Sequence, residues 1–351
     1  MIDASLATDT SGQRGIRLLS MRMMAKFSAR ALHRFWYAVA VLALSVPCHS
    51  QELVLAVSTT ALSLPLLVAY NQGYFTAEGV SVRMQDCIGG NRCLKLLLDG
   101  KAQLATATDI PVMFNSFERS DFAILATFVS SVNDLKLITR KSAGITSARH
   151  LEGKRVATVK GTSAHYFLDS YLIFNDVDTK RVTVVARPPE EIAAALERKE
   201  VDAVAIWEPF AYLALKALGA DGAILSSPRI YTETFNLVAD RRTMATRESD
   251  LVRVLRALEQ AQQFIRERPK EAQAILLERL KLDQGFVDWA WKDLDFRTSL
   301  NQSLLSTLEA EARWALREGH VAAGKRIPNL LDFVHSAPLR KAVPGAVTLV
   351  Q

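Results

Sequence analysis

The sequence predicts an α/β protein with two lobes, each a mixed sheet flanked by helices, joined by two crossover strands. Three observations support this fold class. Short strands alternate with helices of about ten residues, one segment repeats in the second half of the chain, and the last third is mostly helical. The 351 residues exceed one small domain, and a hydrophobic content of 49% excludes a largely disordered chain.

The first lobe begins after residue 50, and its elements alternate in type. We predict strand Leu53–Ser58, helix Leu64–Phe75, strand Val80–Gln85, helix Asn91–Leu98 and strand Gln103–Ala107. The second lobe repeats the alternation with strand Lys154–Lys160, helix Thr162–Phe174, strand Val182–Ala186, helix Glu190–Arg198 and strand Val201–Ile206. Helices of this length between short strands indicate βαβ units.

A repeat relates the two lobes. The segment LDGKAQLATATDIP at Leu98–Pro111 aligns without gaps with LERKEVDAVAIWEP at Leu196–Pro209, at a constant offset of 98 residues. Each copy contains a helix end, a turn, a small apolar strand, a polar pair and a proline, which suits the first turn of a helix because no N–H is needed there. Two lobes of one design explain the repeat, and chance similarity between two ordinary strand–helix corners is the alternative.

The last third is predicted to be mostly helical from Glu248 to Gly319, with Ser299–Gly319 as a second amphipathic helix after one that starts near residue 248. Two β-rich segments outside the repeats, Leu135–Arg140 and Glu233–Ala239, are predicted to cross between the lobes. The expected organisation is a leader and secretory signal over 1–50, lobe 1 over 51–142, lobe 2 over 143–230 and the helical return of lobe 1 over 231–351.

The first fifty residues have the pattern of an export signal. A basic leader precedes the twelve-residue, largely apolar run Phe35–Val46, and the small residues Cys48 and Ser50 occupy positions −3 and −1 of a cleavage site. The run is shorter than the ~20 apolar residues of a transmembrane helix. We expect cleavage near Ser50 and a soluble periplasmic protein. A lipoprotein that begins at Cys48 and an uncleaved anchor are the alternatives, and Met21 is a candidate start.

The charge distribution gives no reason to expect a nucleic-acid partner. The net charge is +6, but six of the 43 basic and two of the 37 acidic residues lie in the first fifty, which leaves the remainder at +2. A nearly neutral chain shows no excess of basic residues that would attract the negatively charged phosphate backbone of a nucleic acid.

The predicted export affects which cysteines remain in the protein and whether they are oxidised. Cys87 and Cys93 remain after cleavage, and an oxidising compartment allows them to form a disulfide, with two packed free thiols as the alternative. No metal site and no cofactor is expected, because the histidines of the exported chain show no ligand spacing; they are His150, His165, His320 and His335.

No catalytic motif is present. Gly161-Thr162-Ser163 lacks the spacing of a P-loop or a nucleophile elbow. Instead, small polar clusters recur where strands end and helices begin. The predicted ligand-binding residues are Ser58, Thr59, Thr60, Gly89, Gly90, Asn91, Thr108, Asp109, Gly161, Thr162, Ser163, Trp207 and Glu208.

These clusters favour one shared cleft between the lobes. Helix N-termini present unpaired N–H groups and a positive dipole end, and open α/β sheets bind ligands beyond the carboxyl ends of their strands. Trp207 is a candidate apolar wall. Each cluster alone is also explained as an N-cap or a turn, and Trp207 as ordinary packing between lobes.

Five segments carry a family resemblance: GYFTAEGVSV (Gly73–Val82), LLDGKAQLATATDIP (Leu97–Pro111), LEGKRVATVKGTSAHYFL (Leu151–Leu168), AIWEPF (Ala205–Phe210) and LDFVHSAPLRKAVPGAV (Leu331–Val347). As a set they resemble the extracytoplasmic solute-binding proteins of ABC importers, of the nitrate/sulfonate/taurine type, which also includes binders of thiamine pyrimidine precursors. The resemblance implies a type II periplasmic binding protein that closes about a hinge, with the clusters above as ligand contacts. The chain departs from the common pattern at Cys87 and Cys93, which flank the Gly-Gly turn.

The resemblance further implies a monomer that captures a small solute, delivers it to a membrane permease and catalyses no reaction. The helix starts favour a small anion, and Trp207 and Tyr166 favour one with an organic part, a sulfonate or a carboxylate rather than nitrate. A thiamine-precursor pyrimidine is the alternative ligand. A pyrimidine synthase-like enzyme and a sensor domain of the same fold are the alternative classes.

Overall fold

Two β-sheets, each with its own apolar core, organise the chain. The computed structural model describes residues 52–226 and 229–350. The predicted signal and its cleavage site near Ser50 lie outside these residues. Within them, no helix has the length and apolar character needed to cross a membrane.

The described residues form eleven strands: β1 (Leu53–Ser58), β2 (Val82–Cys87), β3 (Leu104–Thr108), β4 (Phe122–Ser131), β5 (Leu135–Arg140), β6 (Arg155–Thr158), β7 (Thr183–Ala186), β8 (Ala203–Trp207), β9 (Gly222–Leu225), β10 (Glu233–Asp240) and β11 (Leu294–Ser299). The α-helices are α1 (Leu64–Asn71), α2 (Tyr74–Ala77), α3 (Gly90–Leu98), α4 (Asp109–Ser116), α5 (Ser163–Phe174), α6 (Pro189–Glu197), α7 (Phe210–Leu218), α8 (Arg241–Thr246), α9 (Glu248–Glu267), α10 (Pro269–Leu280), α11 (Gln284–Ala290), α12 (Gln302–Arg317) and α13 (Ala337–Ala342).

The first sheet has six strands in the order β11-β4-β10-β3-β1-β2. Strand β1 pairs in parallel with β2 and β3, whereas β10 runs antiparallel between β3 and β4. Every residue of β3 is buried, as expected for a central strand with helices on both faces. Helices α9 and α12 of the last third pack their apolar faces into this core.

The second sheet has five strands in the order β7-β6-β8-β5-β9, with β6 parallel to β7 and β8, and β5 antiparallel to β8 and β9. The order β2-β1-β3-β10-β4 in the first sheet has the same pattern of directions. The repeated segments supply β3 and β8, which occupy equivalent places in the two sheets. The prediction of two lobes of one design is therefore confirmed.

The chain crosses between the sheets twice, at neighbouring points. It leaves β4 at Ser131 and enters β5 at Leu135, and it returns from β9 to β10 between residues 226 and 232. Glu233 at the start of β10 pairs with Ser131 at the end of β4, so the two crossings lie side by side. The segments predicted as crossover strands, Leu135–Arg140 and Glu233–Ala239, are members of the sheets that each crossing enters.

Candidate ligand-binding cleft

A cleft lies between the two sheets, where strands end and helices begin. It encloses about 340 Å³ of empty space, its open mouth included. The residues that line it come from both lobes and from the two crossings: Ser58, Thr60, Leu62, Gly89, Gly90, Asn91, Thr108, Pro111, Asp134, Thr162, Ser163, Trp207, Glu233 and Phe235.

Nine of the thirteen predicted ligand-binding residues line this cleft: Ser58, Thr60, Gly89, Gly90, Asn91, Thr108, Thr162, Ser163 and Trp207. The structure does not place the other four, Thr59, Asp109, Gly161 and Glu208, on the lining. Five further residues line the cleft that sequence reasoning did not single out, namely Leu62, Pro111, Asp134, Glu233 and Phe235.

The Gly-Gly turn brings the start of α3 against the first sheet. Gly89 has a φ of +81°, and its N–H donates a 3.1 Å hydrogen bond to Oγ of Ser58. A Cβ at Gly90 would lie 2.9 Å from the backbone nitrogen of Thr108, so only glycine permits this approach. The turn is flanked by Cys87 and Cys93, whose sulfur atoms are joined as a disulfide in the structure.

Helices α4 and α5, one from each lobe, begin at the cleft without side-chain caps. Their N-cap residues are Thr108 and Thr162, and neither makes a side-chain capping bond. Oγ1 of Thr162 donates to the carbonyl of Val159 at 2.6 Å, while Oγ of Ser163 donates across the cleft to Oγ1 of Thr108 at 2.9 Å. At α4, however, the N–H of Ile110 donates to Oδ1 of Asp109 at 2.9 Å, and Pro111 has no N–H. The start of α5, rather than that of α4, therefore offers first-turn N–H groups to a ligand.

One wall of the cleft is apolar. The ring of Trp207, at the end of β8, faces Gly89 of the other lobe closely enough that a Cβ there would lie 3.2 Å from it. Leu62, Pro111 and Phe235 line the first-lobe side. Such a wall suits the organic part of a ligand rather than a bare inorganic ion.

Asp109 is turned away from the cleft and is fully buried. Its carboxylate accepts hydrogen bonds from the hydroxyl of Tyr231 and from the backbone N–H and hydroxyl of Thr234, the latter two at 3.0 and 3.1 Å. Burial raises the pKa of this carboxyl above its usual range. Its partners tie α4 to the return crossing and β10, which is a structural role.

Glu208 is likewise buried and turned inward. Oε1 accepts a 2.6 Å hydrogen bond from the indole of Trp289 and lies 3.6 Å from Nζ of Lys136, while Oε2 accepts the backbone N–H of Tyr212. Burial raises the pKa of Glu208, and the charge of Lys136 opposes that shift. Its backbone carbonyl accepts a 3.1 Å bond from Oγ1 of Thr60, so Glu208 contacts the first lobe through its backbone at Thr60 and through its side chain at Trp289.

Two buried carboxyls do face the cleft. Asp134 lies in the first crossing and Glu233 begins β10 after the second; they are 4% and 3% exposed. Oδ2 of Asp134 and Oε2 of Glu233 have no hydrogen-bond partner in the described chain. Burial, together with the nearby charge of Glu208, raises the pKa of Asp134 to about 7. Burial and the neighbouring Asp134 raise the pKa of Glu233 well above its usual range. Burial therefore favours the protonated form of both carboxyls.

No basic side chain is among the residues that line the cleft. Lys136 is engaged by Glu208, and Arg92, which could have turned inward from α3, instead forms a half-exposed ion pair with Glu190 of the second lobe. Recognition of an anion here rests on backbone N–H groups and hydroxyls. The carboxyl pair offers the complementary chemistry, since it can accept a hydrogen bond from an ammonium or amide group, or donate one when protonated.

Comparison with known proteins finds a matching family model and relatives that are named as binding proteins. A family model described as NMT1/THI5 like matches residues 61–272. A putative aliphatic sulfonates-binding protein of Bacillus subtilis is 27% identical over 289 residues, which cover 80% of this chain and 85% of the relative. A taurine-binding periplasmic protein of Escherichia coli is 25% identical over 163 residues, which cover 46% and 49%.

Solved structures share the fold. The alkanesulfonate-binding protein SsuA of Xanthomonas axonopodis pv. citri, bound to MOPS, superposes with a TM-score of 0.69 at 17% identity, over 83% of this chain and 100% of that one. The desulfurization enzyme DSZB superposes with a TM-score of 0.63 at 13% identity, over 84% and 99%. These likenesses confirm the predicted two-lobed, periplasmic-binding-protein fold.

Proposed function

The chain belongs to the NMT1/THI5-like family, as its resemblance to solute-binding proteins predicted, and from this premise we propose that it captures a small organic solute between its two lobes. The observation that carries the proposal is the cleft itself. Residues from both lobes line it, and two cross-lobe hydrogen bonds, Ser163 to Thr108 and Thr60 to Glu208, join its sides. A ligand held from both sides stabilises the closed arrangement of the lobes.

The cleft supports a ligand with three parts. The start of α5, where the hydroxyls of Ser163 and Thr108 meet, suits the oxygen atoms of a sulfonate or carboxylate, since a helix N-terminus contributes typically about 0.3–1 kcal/mol to an anion. Trp207 and Phe235 suit a short organic segment. Asp134 and Glu233 suit an amino group. We therefore propose a small organic anion that also carries an amino group, such as an aminosulfonate, as the ligand class.

We also propose that the protein works in the periplasm and delivers its solute to a membrane permease of an ABC importer. Relatives that align with this chain are named as sulfonate-binding and periplasmic taurine-binding proteins. The export pattern before residue 51 supports the location, and N-terminal sequencing of the exported protein is expected to give Gln51 as the first residue. An acylated Cys48 at the start would instead establish a lipoprotein.

Binding rather than catalysis is the function that the cleft chemistry favours. The hydroxyls on the lining have no lysine or histidine beside them on that lining to act as a base. Because an enzyme, DSZB, shares the fold, the protein should be incubated with alkane and aryl sulfonates and sulfinates. We expect recovery of every compound intact, and release of sulfite would contradict the proposal.

The central experiment is calorimetric titration of ligand-stripped protein. The panel is taurine, ethanesulfonate, an aromatic carboxylate, nitrate and a hydroxymethylpyrimidine. We expect taurine to bind in the micromolar range or tighter, ethanesulfonate more weakly and nitrate weakest. Micromolar binding of the pyrimidine alone would overturn the proposed ligand class, and no binding of any compound would leave a different small solute to be found by native mass spectrometry of gently purified protein.

A further inference from the structure

A cluster of three metal-ligating side chains lies away from the cleft, where the two lobes meet a second time. His165, Asp169 and His320 each place a ring nitrogen or carboxylate oxygen so that the three atoms lie within 4.8 Å of one another. Spacing along the sequence did not indicate a metal site, because His320 is far from the other two in the chain and only the fold brings it near.

Two local devices position these side chains. His165 and Asp169 are four residues apart on α5, so both lie on one face of that helix. His320 follows the end of α12, where Gly319 has a φ of +75° and the N–H of His320 bonds to the carbonyl of Ala315 at 2.8 Å. This helix C-terminus, which glycine stabilises, determines the position of the His320 backbone.

The cluster bridges the two lobes. Helix α5 packs in the second core through Phe167 and Leu168, whereas α12 packs in the first core through Leu308 and Trp314. An ion held by all three ligands would therefore tie α5 to the end of α12.

The geometry approaches that of a transition-metal site. Nε2 of His320 lies 3.4 Å from Oδ2 of Asp169, and two ligands at ~2.1 Å from a tetrahedral Zn²⁺ are separated by about 3.4 Å. The indole N–H of Trp314 donates to Oδ2 of Asp169 at 3.1 Å, which orients the carboxylate as an outer-sphere partner does in metal sites. Nδ1 of His165 is buried and has no hydrogen-bond partner in the described chain.

A metal site also needs a path by which the ion can reach its ligands. His165 and Asp169 are each 4% exposed, but the side chain of His320 is 26% exposed and forms the outer edge of the cluster. An ion can enter past His320, and water can occupy the fourth position. From these observations we infer that His165, Asp169 and His320 bind a divalent transition-metal ion of the Zn²⁺ class and that the ion links the two lobes, independently of the solute in the cleft.

The test uses the full chain, stripped with chelator and titrated with Zn²⁺ alone. We expect one saturable site, at least tenfold weaker in His320→Ala and in Asp169→Asn, and unchanged in the control His150→Ala, whose histidine lies exposed elsewhere. Histidines of the first fifty residues are common to all variants and do not affect the comparison. Zn²⁺ should also raise the Tm of the wild type by several degrees and leave that of His320→Ala unchanged.

A spectroscopic probe distinguishes a specific metal site from non-specific binding of ions to the surface. Co²⁺ substituted into the stripped protein should give the visible d–d absorption of a tetrahedral nitrogen and oxygen site, and His320→Ala should abolish it. Because the side chain of His320 is partly exposed, this variant tests the site even where Asp169→Asn fails to fold. Equal Zn²⁺ affinity in the wild type and His320→Ala, or no saturable binding to the wild type, would overturn the inference.

Discussion

The hydroxyl of Ser163 donates a 2.9 Å hydrogen bond to the hydroxyl of Thr108, and this bond joins the first residue of α5 in one lobe to the N-cap of α4 in the other. Both side chains are nearly inaccessible to water in this arrangement. A ligand at this point must accept a hydrogen bond from this pair or replace it, so under the proposed function we expect the two hydroxyls to couple solute binding to lobe closure.

Replacing Ser163 with alanine is expected to weaken taurine binding by roughly three- to tenfold, since one hydrogen bond contributes about 0.5–1.5 kcal/mol. Calorimetric titration measures this. Ser116→Ala is the matched control, because Ser116 is also buried but its hydroxyl donates to the carbonyl of Met113, away from the cleft. Equal losses in the two variants would indicate a general effect on stability instead.

The carboxyl pair is expected to select for the amino group of the ligand. An ammonium beside Asp134 and Glu233 stabilises their ionised forms, so taurine binding should release protons, which is seen as a binding enthalpy that depends on the buffer. Glu233→Gln should reduce the preference for taurine over ethanesulfonate by about tenfold, the loss of a hydrogen bond to a charged group. Glu311→Gln, which changes a fully buried carboxyl that does not line the cleft, should keep the preference.

Stability is expected to fall as pH rises from about 4 to 7, in part through Asp134. Its pKa is about 7 in the folded chain against an ordinary value of 3.8, so in this window the folded state holds a proton that the unfolded state has lost. The contribution is fully present below the unfolded pKa and is lost above the folded one, at most about 1.4 kcal/mol per pH unit. Thermal unfolding at pH 5.5 and 8 should show a smaller difference in Asp134→Asn than in the wild type. Asp176→Asn, an exposed control, should behave as the wild type does; the same behaviour in Asp134→Asn would refute the assignment.

Gly90→Ala should destabilise the protein by about 1–3 kcal/mol, because the new methyl would lie 2.9 Å from the nitrogen of Thr108 and 3.0 Å from Cα of Ala107, which are backbone atoms. Urea unfolding measures the change. Gly345→Ala is the control, since no atom lies within 4 Å of its added methyl, and it should change stability by less than about 0.5 kcal/mol. A neutral Gly90→Ala would show that α3 can shift away from the sheet.

The exported protein should contain Cys87 and Cys93 as a disulfide. Peptide mapping after alkylation is expected to leave both unlabelled before reduction and to label both afterwards; quantitative labelling of either without reduction refutes the bond. The bridged residues are only six apart in sequence, so changing both to alanine should cost about 2 kcal/mol on the chain-entropy estimate.

The sequence predicted the parts of the fold that rest on local periodicity. Strand β5 has the predicted bounds, 135–140, and the repeated segments occupy equivalent strands. Among the features that local pattern did not predict, two have a clear physical reason. The helix expected over 64–75 is interrupted at Gly73, which has a φ of +71° and separates α1 from α2. Strand β11, LDFRTS, is a half-exposed edge strand within a helical region, and only its pairing with β4 makes it a strand.

The cleft residues could be predicted where they follow a strand and begin a helix, because that position has a sequence signal. Asp134 and Glu233 lack this signal, since they lie at the crossings, and a carboxylate beside an apolar strand was the one clue available. Asp109 and Glu208 carry the signal but turn inward, because their partners, Tyr231 and Lys136, come from distant parts of the chain that only folding brings near.

The position of Asp134 and Glu233 bears on the order in which a solute would contact the protein during the proposed lobe closure. Asp134 and Glu233 lie at the two crossings, which run side by side and would form the pivot of the proposed lobe closure, whereas Asn91 and Thr162 belong to helix starts of the two lobes. When a body rotates, points on its axis stay in place and points far from it travel furthest. The pivot carboxyls thus present the same surface to an arriving solute whether the lobes are apart or together. In the proposed closure, we therefore expect side chains at the crossings to contact a solute in both arrangements of the lobes, and those at the helix starts to complete their contacts only when the lobes are together.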